Sequence, residues 1–300
     1  MGSERRLERH PGARAAGATR TRRSIAHRRS FVERNRGTIL AVVGVAVIGA
    51  LIVIAVLQAA NAGETTANAP STPADPAVVD AVTTLPASLF DDVGPGTAGN
   101  PPRAVPDAAV AGDGSVKPEL LFVSGEFCPF CASERWPLVI ALSRFGSFEG
   151  LSATRSAADD IHPNTATLSF YGSTYESSYL TFDAVEMYSN QRTANGYAPL
   201  QQLTGEQAAI YNQYSPGGGI PFLYIDGEYI LSGTNYSLEL LAGLNWSQIA
   251  AAIEQPGSRI SDAVVGSANL LTAAICRTTD GQPGEVCQSP GVQQAAALLP

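Results

Sequence analysis

The chain has 300 residues, of which 45% are hydrophobic and 15% are charged, and its formal net charge at pH 7 is −8. That value hides a split: residues 1–36 contain 11 Arg and three Glu, whereas the remaining residues contain 8 basic and 24 acidic side chains. The split is typical of a basic end that sets membrane topology, so we expect no nucleic-acid partner. The four cysteines begin at Cys128, and this small even number suits two disulfides in an oxidising compartment.

A run of 20 residues from Thr38 to Leu57 carries no charge. An α-helix needs roughly 20 apolar residues to cross a bilayer, so we predict a cytoplasmic tail over 1–37 and a transmembrane helix over 38–58. The arginines precede this helix, which places the tail inside and the rest of the chain outside the cell membrane. A buried soluble helix and a signal peptide cleaved at the small-x-small site 60–62 are the alternatives. In the anchored form and in the cleaved form alike, the rest of the chain lies outside the cell membrane.

Residues 59–112 are rich in Ala, Pro, Thr, Gly and Asp and have almost no aromatic side chains. Such a composition cannot bury much apolar surface, so we predict a disordered, Pro-stiffened linker. One piece of it, Val78–Phe90, could instead add an edge element to the folded body. That body is predicted to span residues 113–300.

The body alternates strand-like and helix-like patterns. We predict strands at Glu119–Ser124, Leu151–Ser156, Thr167–Tyr171 and Tyr179–Val185, and a hairpin with its tight turn at Asp226-Gly227. We predict helices beginning at Cys128, inserted between Asn190 and Tyr214, and at Trp246–Glu254, Arg259–Ile275 and Val292–Leu299. The sequence therefore predicts a mixed α/β domain with a helical insertion.

Cys128 and Cys131 form a Cys-x-x-Cys pair between the first predicted strand and the first predicted helix. A thiol reacts as its thiolate, and the orphan N–H groups and partial positive charge of a helix N-terminus favour that anion. Pro129 falls at the first helical position, where its missing N–H costs nothing. The spacing predicts Cys128 as the nucleophile and Cys131 as the thiol that resolves the mixed disulfide.

Two other roles for the pair are weaker. A structural zinc site usually takes two close pairs of ligands, but Cys276 and Cys287 are eleven positions apart and His162 is the one histidine beyond the predicted anchor. We therefore expect no metal and no other cofactor. An inert structural disulfide between Cys128 and Cys131 is the second alternative.

Two motifs give residues 118–255 a resemblance to the thioredoxin-like superfamily. They are the segment Phe127–Cys131, after a hydrophobic strand, and the dipeptide Ile220-Pro221, before a strand and a hairpin. The resemblance implies a thioredoxin-like fold in which Pro221 is cis and faces the dithiol. It also implies that the backbone of Ile220 pairs with substrate as an added strand. Glu126 and Phe127 match the acidic and aromatic residues that often precede the dithiol in thioredoxins.

The sequence also departs from its nearest resemblances within that superfamily. Pro129 between the cysteines is similar to DsbA-like oxidoreductases and glutaredoxins, but Phe130 stands where DsbA proteins often carry His. Phe122 stands where thioredoxins bury an Asp. The insertion over 186–215 is closer to DsbA-like proteins, and the layout resembles poorly characterised membrane-anchored thioredoxin-like proteins of actinobacteria. Without a cationic imidazole at Phe130, the direction of electron flow stays open.

Cys276 and Cys287 flank a polar loop rich in turn-forming residues. A disulfide between them closes a loop of about 12 residues and contributes roughly 3 kcal/mol in the chain-entropy model. We interpret the pair as a structural staple between two C-terminal helices. A second redox pair that exchanges electrons with Cys128 and Cys131 is the alternative.

These features predict an enzyme: a membrane-anchored, extracytoplasmic thiol–disulfide oxidoreductase that acts on the cysteines of exported proteins. Its expected partners are those proteins, a membrane redox partner, and the lipid bilayer through residues 38–58. A binding or scaffold module with a static disulfide is an alternative from a different class, because fold alone does not establish chemistry. A dedicated redox partner in cytochrome or metal-site maturation is another.

Overall fold

The computed structural model describes residues 70–105 and 117–300. The strands are β1 (Thr72–Pro73), β2 (Arg103–Ala104), β3 (Glu119–Ser124), β4 (Gly146–Glu149), β5 (Ser152–Arg155), β6 (Ala166–Ser169), β7 (Thr174–Ser177), β8 (Thr181–Glu186), β9 (Tyr188–Thr193), β10 (Gly196–Pro199), β11 (Phe222–Ile225) and β12 (Tyr229–Ser232). The α-helices are α1 (Pro76–Thr83), α2 (Ala87–Val93), α3 (Pro129–Leu142), α4 (Gly205–Tyr214), α5 (Trp246–Glu254), α6 (Arg259–Thr278), α7 (Gly284–Cys287) and α8 (Pro290–Ala296). A 3₁₀ turn covers Leu238–Leu241.

A five-stranded sheet in the order β2-β12-β11-β3-β8 forms the centre of the fold. β3 pairs in parallel with β8 and antiparallel with β11, and β11 continues into the β12 hairpin. Smaller sheets join β1, β5 and β6, pair β4 with β7, and pair β9 with β10. β3 lies between β11 and β8, so its carboxyl end and the dithiol that follows have a strand on each side.

Both faces of β3 are buried because helices cover the sheet on each side. Successive side chains of a strand point to opposite faces. Leu120 and Phe122 belong to the main core, which they share with α3, α5 and α6. Leu121 and Val123 belong to a second cluster, which includes Tyr211 of α4. A strand that is covered on both faces has a continuous apolar sequence. β3 was predicted from that pattern.

The segment 70–105 is folded, and the prediction of a disordered linker is wrong for these residues. Asp75 caps α1 by accepting a hydrogen bond from the Ala77 N–H at 2.9 Å. Short apolar faces of α1 and α2 pack into the main core through the buried side chains of Val78, Val82, Leu89 and Phe90. The remainder of the predicted linker, 59–69 and 106–112, lies outside the described residues.

Contacts from α6 hold the end of α2. The Asn269 side chain donates to the carbonyls of Phe90 and Gly94 at 2.8 and 2.7 Å. A side chain at Gly96, whose φ is +52°, would also collide with the Asp262 carbonyl of α6. Tertiary contacts of this kind stabilise two short helices that few apolar residues of their own would support.

The predicted fold class included a membrane-spanning helix, and that part of the prediction is corrected. No helix in the described stretches, 70–105 and 117–300, is both long and apolar enough to cross a bilayer. The segment 38–58 for which that helix was predicted lies outside the described residues, as do the basic tail and the possible cleavage site at 60–62. What the structure supports is a mixed α/β fold with several sheets.

The insertion between β8 and β11 is only partly helical. Its first half is the β9–β10 hairpin, and only its second half, α4, is a helix. The helical part was recognisable because Thr204 and Gln207 form a capping box, in which each side chain bonds the other residue's backbone N–H. The hairpin was missed because its strands are polar and half-exposed, which weakens the alternation that marks a strand.

The C-terminal helices are joined by a disulfide. Cys276, in the last turn of α6, is bonded to Cys287 at the end of α7, with a Cα–Cα distance of 5.6 Å. Arg144, just after α3, reinforces this corner by donating to Asn269 at 3.1 Å and to Ser289 at 3.3 Å. The corner connects the dithiol helix to the C-terminal helices.

Candidate active site

The dithiol lies at the N-terminus of α3, where β3 delivers it. Cys128 is the N-cap residue of the helix and Cys131 lies one turn into it, and both are free cysteines. The Cys131 backbone N–H donates to the Cys128 sulfur at 3.4 Å. Cys128 is 6% exposed, whereas Cys131 is completely buried. An incoming sulfur can therefore reach Cys128 and not Cys131.

The environments of the two sulfurs separate their pKa values. A hydrogen bond from the Cys131 thiol lowers the pKa of Cys128; burial opposes this effect, and backbone N–H groups and the charge of Arg135 add to it. Burial raises the pKa of Cys131 well above its ordinary value, the hydrogen bond to Cys128 raises it further, and Arg135 opposes both. The pair thus combines an accessible sulfur that favours the thiolate with a buried sulfur that favours the thiol.

Ile220 and Pro221 face the dithiol across a short gap. The Ile220–Pro221 peptide bond is cis. The Cys128 sulfur lies 3.9 Å from the Ile220 carbonyl oxygen. The exposed glycines 217–219 precede this peptide, and the Gly219 carbonyl accepts hydrogen bonds at 3.2 Å from Tyr211 and from Ser215. The loop is therefore held from the α4 side while its outer edge stays open.

Glu126 is buried beside the dithiol. Its carboxylate accepts a 2.7 Å hydrogen bond from the Ser169 hydroxyl, and its backbone N–H donates to the Tyr188 carbonyl at 2.8 Å. Burial raises the pKa of Glu126, although the Ser169 hydroxyl and the charge of Arg135 act in the opposite direction. The structure therefore places this predicted modulator next to the site, within the buried charge network described below.

The aromatic residues around the dithiol form its rim. The Phe127 ring stacks on Tyr197 of the β9–β10 hairpin, with ring centroids 4.1 Å apart. Phe130 meets His162 edge to face at 6.3 Å. Pro129 is the first residue of α3, as predicted from its position. The predicted modulators thus surround Cys128, and none of Phe127, Pro129 and Phe130 carries a charge.

A buried ion pair beneath the dithiol was missed by the sequence reasoning. Arg135 of α3 and Glu186 of β8 are both completely buried and make two contacts, at 2.7 and 2.6 Å. The Ser124 hydroxyl donates to Glu186 at 2.6 Å. Burial would lower the pKa of Arg135, but the Glu186 carboxylate outweighs it and holds that pKa above its usual range. The available signal was the pair of charged residues 134–135 within an otherwise apolar helix.

A second missed group is Glu134, whose side chain is completely buried. Its Oε2 atom accepts a hydrogen bond from the Asn235 N–H at 3.3 Å, while its Oε1 atom has no hydrogen-bond partner among the described residues. Burial raises the pKa of Glu134 to about 8, against the lowering effects of Asn235 and Thr234. The buried site therefore favours the protonated, neutral form of Glu134.

In the described part of the chain, no group of three or more His, Cys, Asp or Glu residues could hold a metal ion. Cys276 and Cys287 are bonded to each other at the C-terminal corner of the fold. The residues brought together at the site are thus the dithiol, Ile220-Pro221 and the buried charges.

The comparisons with known proteins add one match. A family model described as a domain of unknown function, DUF929, matches residues 112–213. The matched stretch includes the dithiol and ends before Ile220 and Pro221. No curated protein matches the chain. No solved structure matches it. A function has to be argued from the site itself.

Proposed function

We propose that this chain is a thiol–disulfide oxidoreductase of thioredoxin-like type, acting on cysteines of exported proteins through Cys128 and Cys131. The observation that carries the proposal is the position of the Cys128 sulfur. It caps a helix, it is the one sulfur of the pair that solvent reaches, and it lies 3.9 Å from the Ile220 carbonyl. A lowered Cys128 pKa is what a nucleophilic or leaving thiolate requires.

The exchange runs through a mixed disulfide. The Cys128 thiolate attacks one sulfur of a substrate disulfide, forming a Cys128–substrate bond and releasing the other substrate sulfur as a thiolate. Cys131 then loses its proton to that thiolate or to solvent and attacks Cys128, which releases the second substrate thiol. Two electrons pass from the dithiol to the substrate. The same steps in reverse oxidise a substrate dithiol.

The backbone at Ile220 offers a place for the substrate chain. Ile220 is partly exposed, and its N–H makes no hydrogen bond within the described residues. Its carbonyl points towards Cys128. An extended substrate segment that pairs with this backbone, as the resemblance implies, would bring its own cysteine to the Cys128 sulfur.

The Cys276–Cys287 disulfide supports an oxidising, extracytoplasmic location for the domain. Disulfides persist in such compartments and are rare where thiols are kept reduced. The chemistry proposed for Cys128 and Cys131 has its substrates in the same compartment, because exported proteins acquire their disulfides there.

The test is an exchange assay with a peptide that contains two cysteines and reports its redox state by fluorescence. We expect Cys128→Ser to abolish exchange, and Cys131→Ser to form mixed disulfides without completing the reaction. The matched control is the double variant Cys276→Ser/Cys287→Ser, which removes two sulfurs away from the site and should retain exchange. Full activity in Cys128→Ser would overturn the proposal.

A further inference from the structure

A fully buried cation lies under the dithiol although the rim around Cys128 is uncharged. Arg135 follows Cys131 by four positions on α3 and Cys128 by seven, so all three project from the same side of the helix. Its side chain is completely buried. Charged side chains are almost never fully buried without a partner, so this guanidinium needs buried groups that compensate its charge.

Glu186 and Ser124 fix the guanidinium on one side. Two of its nitrogens contact the Glu186 carboxylate at 2.7 and 2.6 Å, and one of these also lies 3.4 Å from the Ser124 hydroxyl. The third nitrogen, Nη1, is buried and has no hydrogen-bond partner among the described residues. Arg135 is thus held rigidly by the ends of β3 and β8, with one donor unused.

The charged and titratable groups near Arg135 differ in whether they interact with it. Glu186 and Glu126 are the buried carboxyls that interact with it, and Cys131 interacts with it electrostatically. Its charge acts on both thiols, favouring the thiolate in each. Glu134, its neighbour in sequence, instead points to the Asn235 N–H. The guanidinium is therefore the positive group of the network that acts on the two sulfurs.

We propose that Arg135 is a positioning residue that biases the dithiol towards oxidising its substrates, by stabilising the Cys128 thiolate of the reduced pair. The inference rests on the proposed function and supplies its direction. A disulfide whose reduced form is stabilised is a stronger oxidant. Phe130 supplies no positive charge at the rim. The positive charge near the pair is the buried guanidinium of Arg135.

In the oxidising direction, two electrons pass from the substrate thiols to the Cys128–Cys131 disulfide. A substrate thiolate attacks Cys128 in the Cys128–Cys131 disulfide, and Cys131 leaves as a thiolate beside Arg135. A second substrate thiolate attacks the substrate sulfur of the mixed disulfide, and Cys128 leaves as a thiolate. The substrate loses two electrons and two protons; Cys131 takes one proton and solvent takes the other. A low-molecular-weight disulfide, the oxidant class used in the test below, regenerates the enzyme disulfide.

The test compares Glu186→Gln with the double variant Arg135→Met/Glu186→Gln in the full chain. Both variants lack the Glu186 carboxylate, so they differ only at residue 135, and the double variant removes both members of the buried ion pair. The equilibrium between dithiol and disulfide is measured in buffers of reduced and oxidised glutathione by alkylation and mass analysis of the peptide that contains Cys128 and Cys131. A pH profile of Cys128 alkylation is recorded beside it.

We expect the loss of Arg135 to shift the equilibrium constant about tenfold towards the disulfide, which is about 30 mV for a two-electron couple. We also expect the midpoint of Cys128 alkylation to rise in the double variant relative to Glu186→Gln. Equilibrium constants within twofold of each other, with equal midpoints, would overturn the inference. That result together with intact exchange in the parent chain would leave the proposed function standing, whereas retained exchange in Cys128→Ser would remove both.

Discussion

Glu134 provides a test of the buried electrostatics that does not depend on catalysis. Its carboxyl is completely buried and its pKa is raised from 4.5 to about 8. The folded state therefore holds a proton that the unfolded chain releases above about pH 4.5. Stability that depends on this proton is fully present at low pH and is lost as the pH rises towards 8. The substitution Glu134→Gln keeps the size of the side chain and removes the titration.

The size of the effect follows from the shift in pKa. A shift from 4.5 to about 8 corresponds to about 5 kcal/mol in full, at about 1.4 kcal/mol for each pH unit. Between pH 5 and pH 8 the parent chain should lose about 3–4 kcal/mol of unfolding free energy through this residue alone. Glu134→Gln should show no such loss, because a Gln side chain stays neutral throughout that range.

The measurement is urea unfolding of the two proteins at pH 5, 6, 7 and 8, with the difference in unfolding free energy plotted against pH. Other titrating groups contribute equally to both proteins and cancel in this difference. We expect the advantage of Glu134→Gln to grow steadily with pH. A difference that stays constant from pH 5 to pH 8 would refute the assignment of a neutral, buried Glu134.

Two further predictions concern the parts of the fold that hold the site. The double variant Cys276→Ser/Cys287→Ser should lose about 3 kcal/mol of unfolding free energy, from the entropy of a loop of about 12 residues; an unchanged urea midpoint would contradict a structural role. Asn269→Ala should cost about 1–3 kcal/mol, because it removes the side-chain donor to the buried Gly94 carbonyl and one of the two donors to the Phe90 carbonyl. It should also speed proteolysis within residues 70–105, and an unchanged cleavage rate there would show that this contact does not hold the segment.

The parts of the fold that were predicted correctly are those with local signals. β3 is a continuous apolar run, and α5 was placed at Trp246–Glu254, where the structure has it. Its cap is readable in the chain, because Asn245 and Gln248 form a capping box. In the segment 70–105 only α1 has a comparable signal, with Asp75 as its cap and Pro76 as its first residue. The end of α2 depends on Asn269, which lies more than 170 positions away, and a contact over that distance leaves no mark in the local pattern.

The candidate site likewise has parts that local sequence patterns predict and parts that they do not. The dithiol and its helix cap are neighbours in sequence, and the residues Ile220-Pro221 were found through the family resemblance. Arg135 and Glu186 are 51 positions apart, and their pairing follows from the parallel placement of β8 beside β3. From sequence alone, a buried charged residue on an apolar helix is hard to distinguish from a charged residue that is exposed to solvent. The structure identifies Arg135 as buried, and that burial changes the expected chemistry of the dithiol.

The role of Cys128 as the nucleophile is tested by the capture of a mixed disulfide on its sulfur. The Cys131→Ser chain is mixed with a peptide containing one disulfide, quenched with an alkylating agent, and mapped by mass spectrometry. We expect an adduct at Cys128 that forms faster as the pH rises, because the thiolate is the attacking form. We also expect no adduct in Cys128→Ser/Cys131→Ser. An unreactive Cys128 in the folded Cys131→Ser chain would contradict the account.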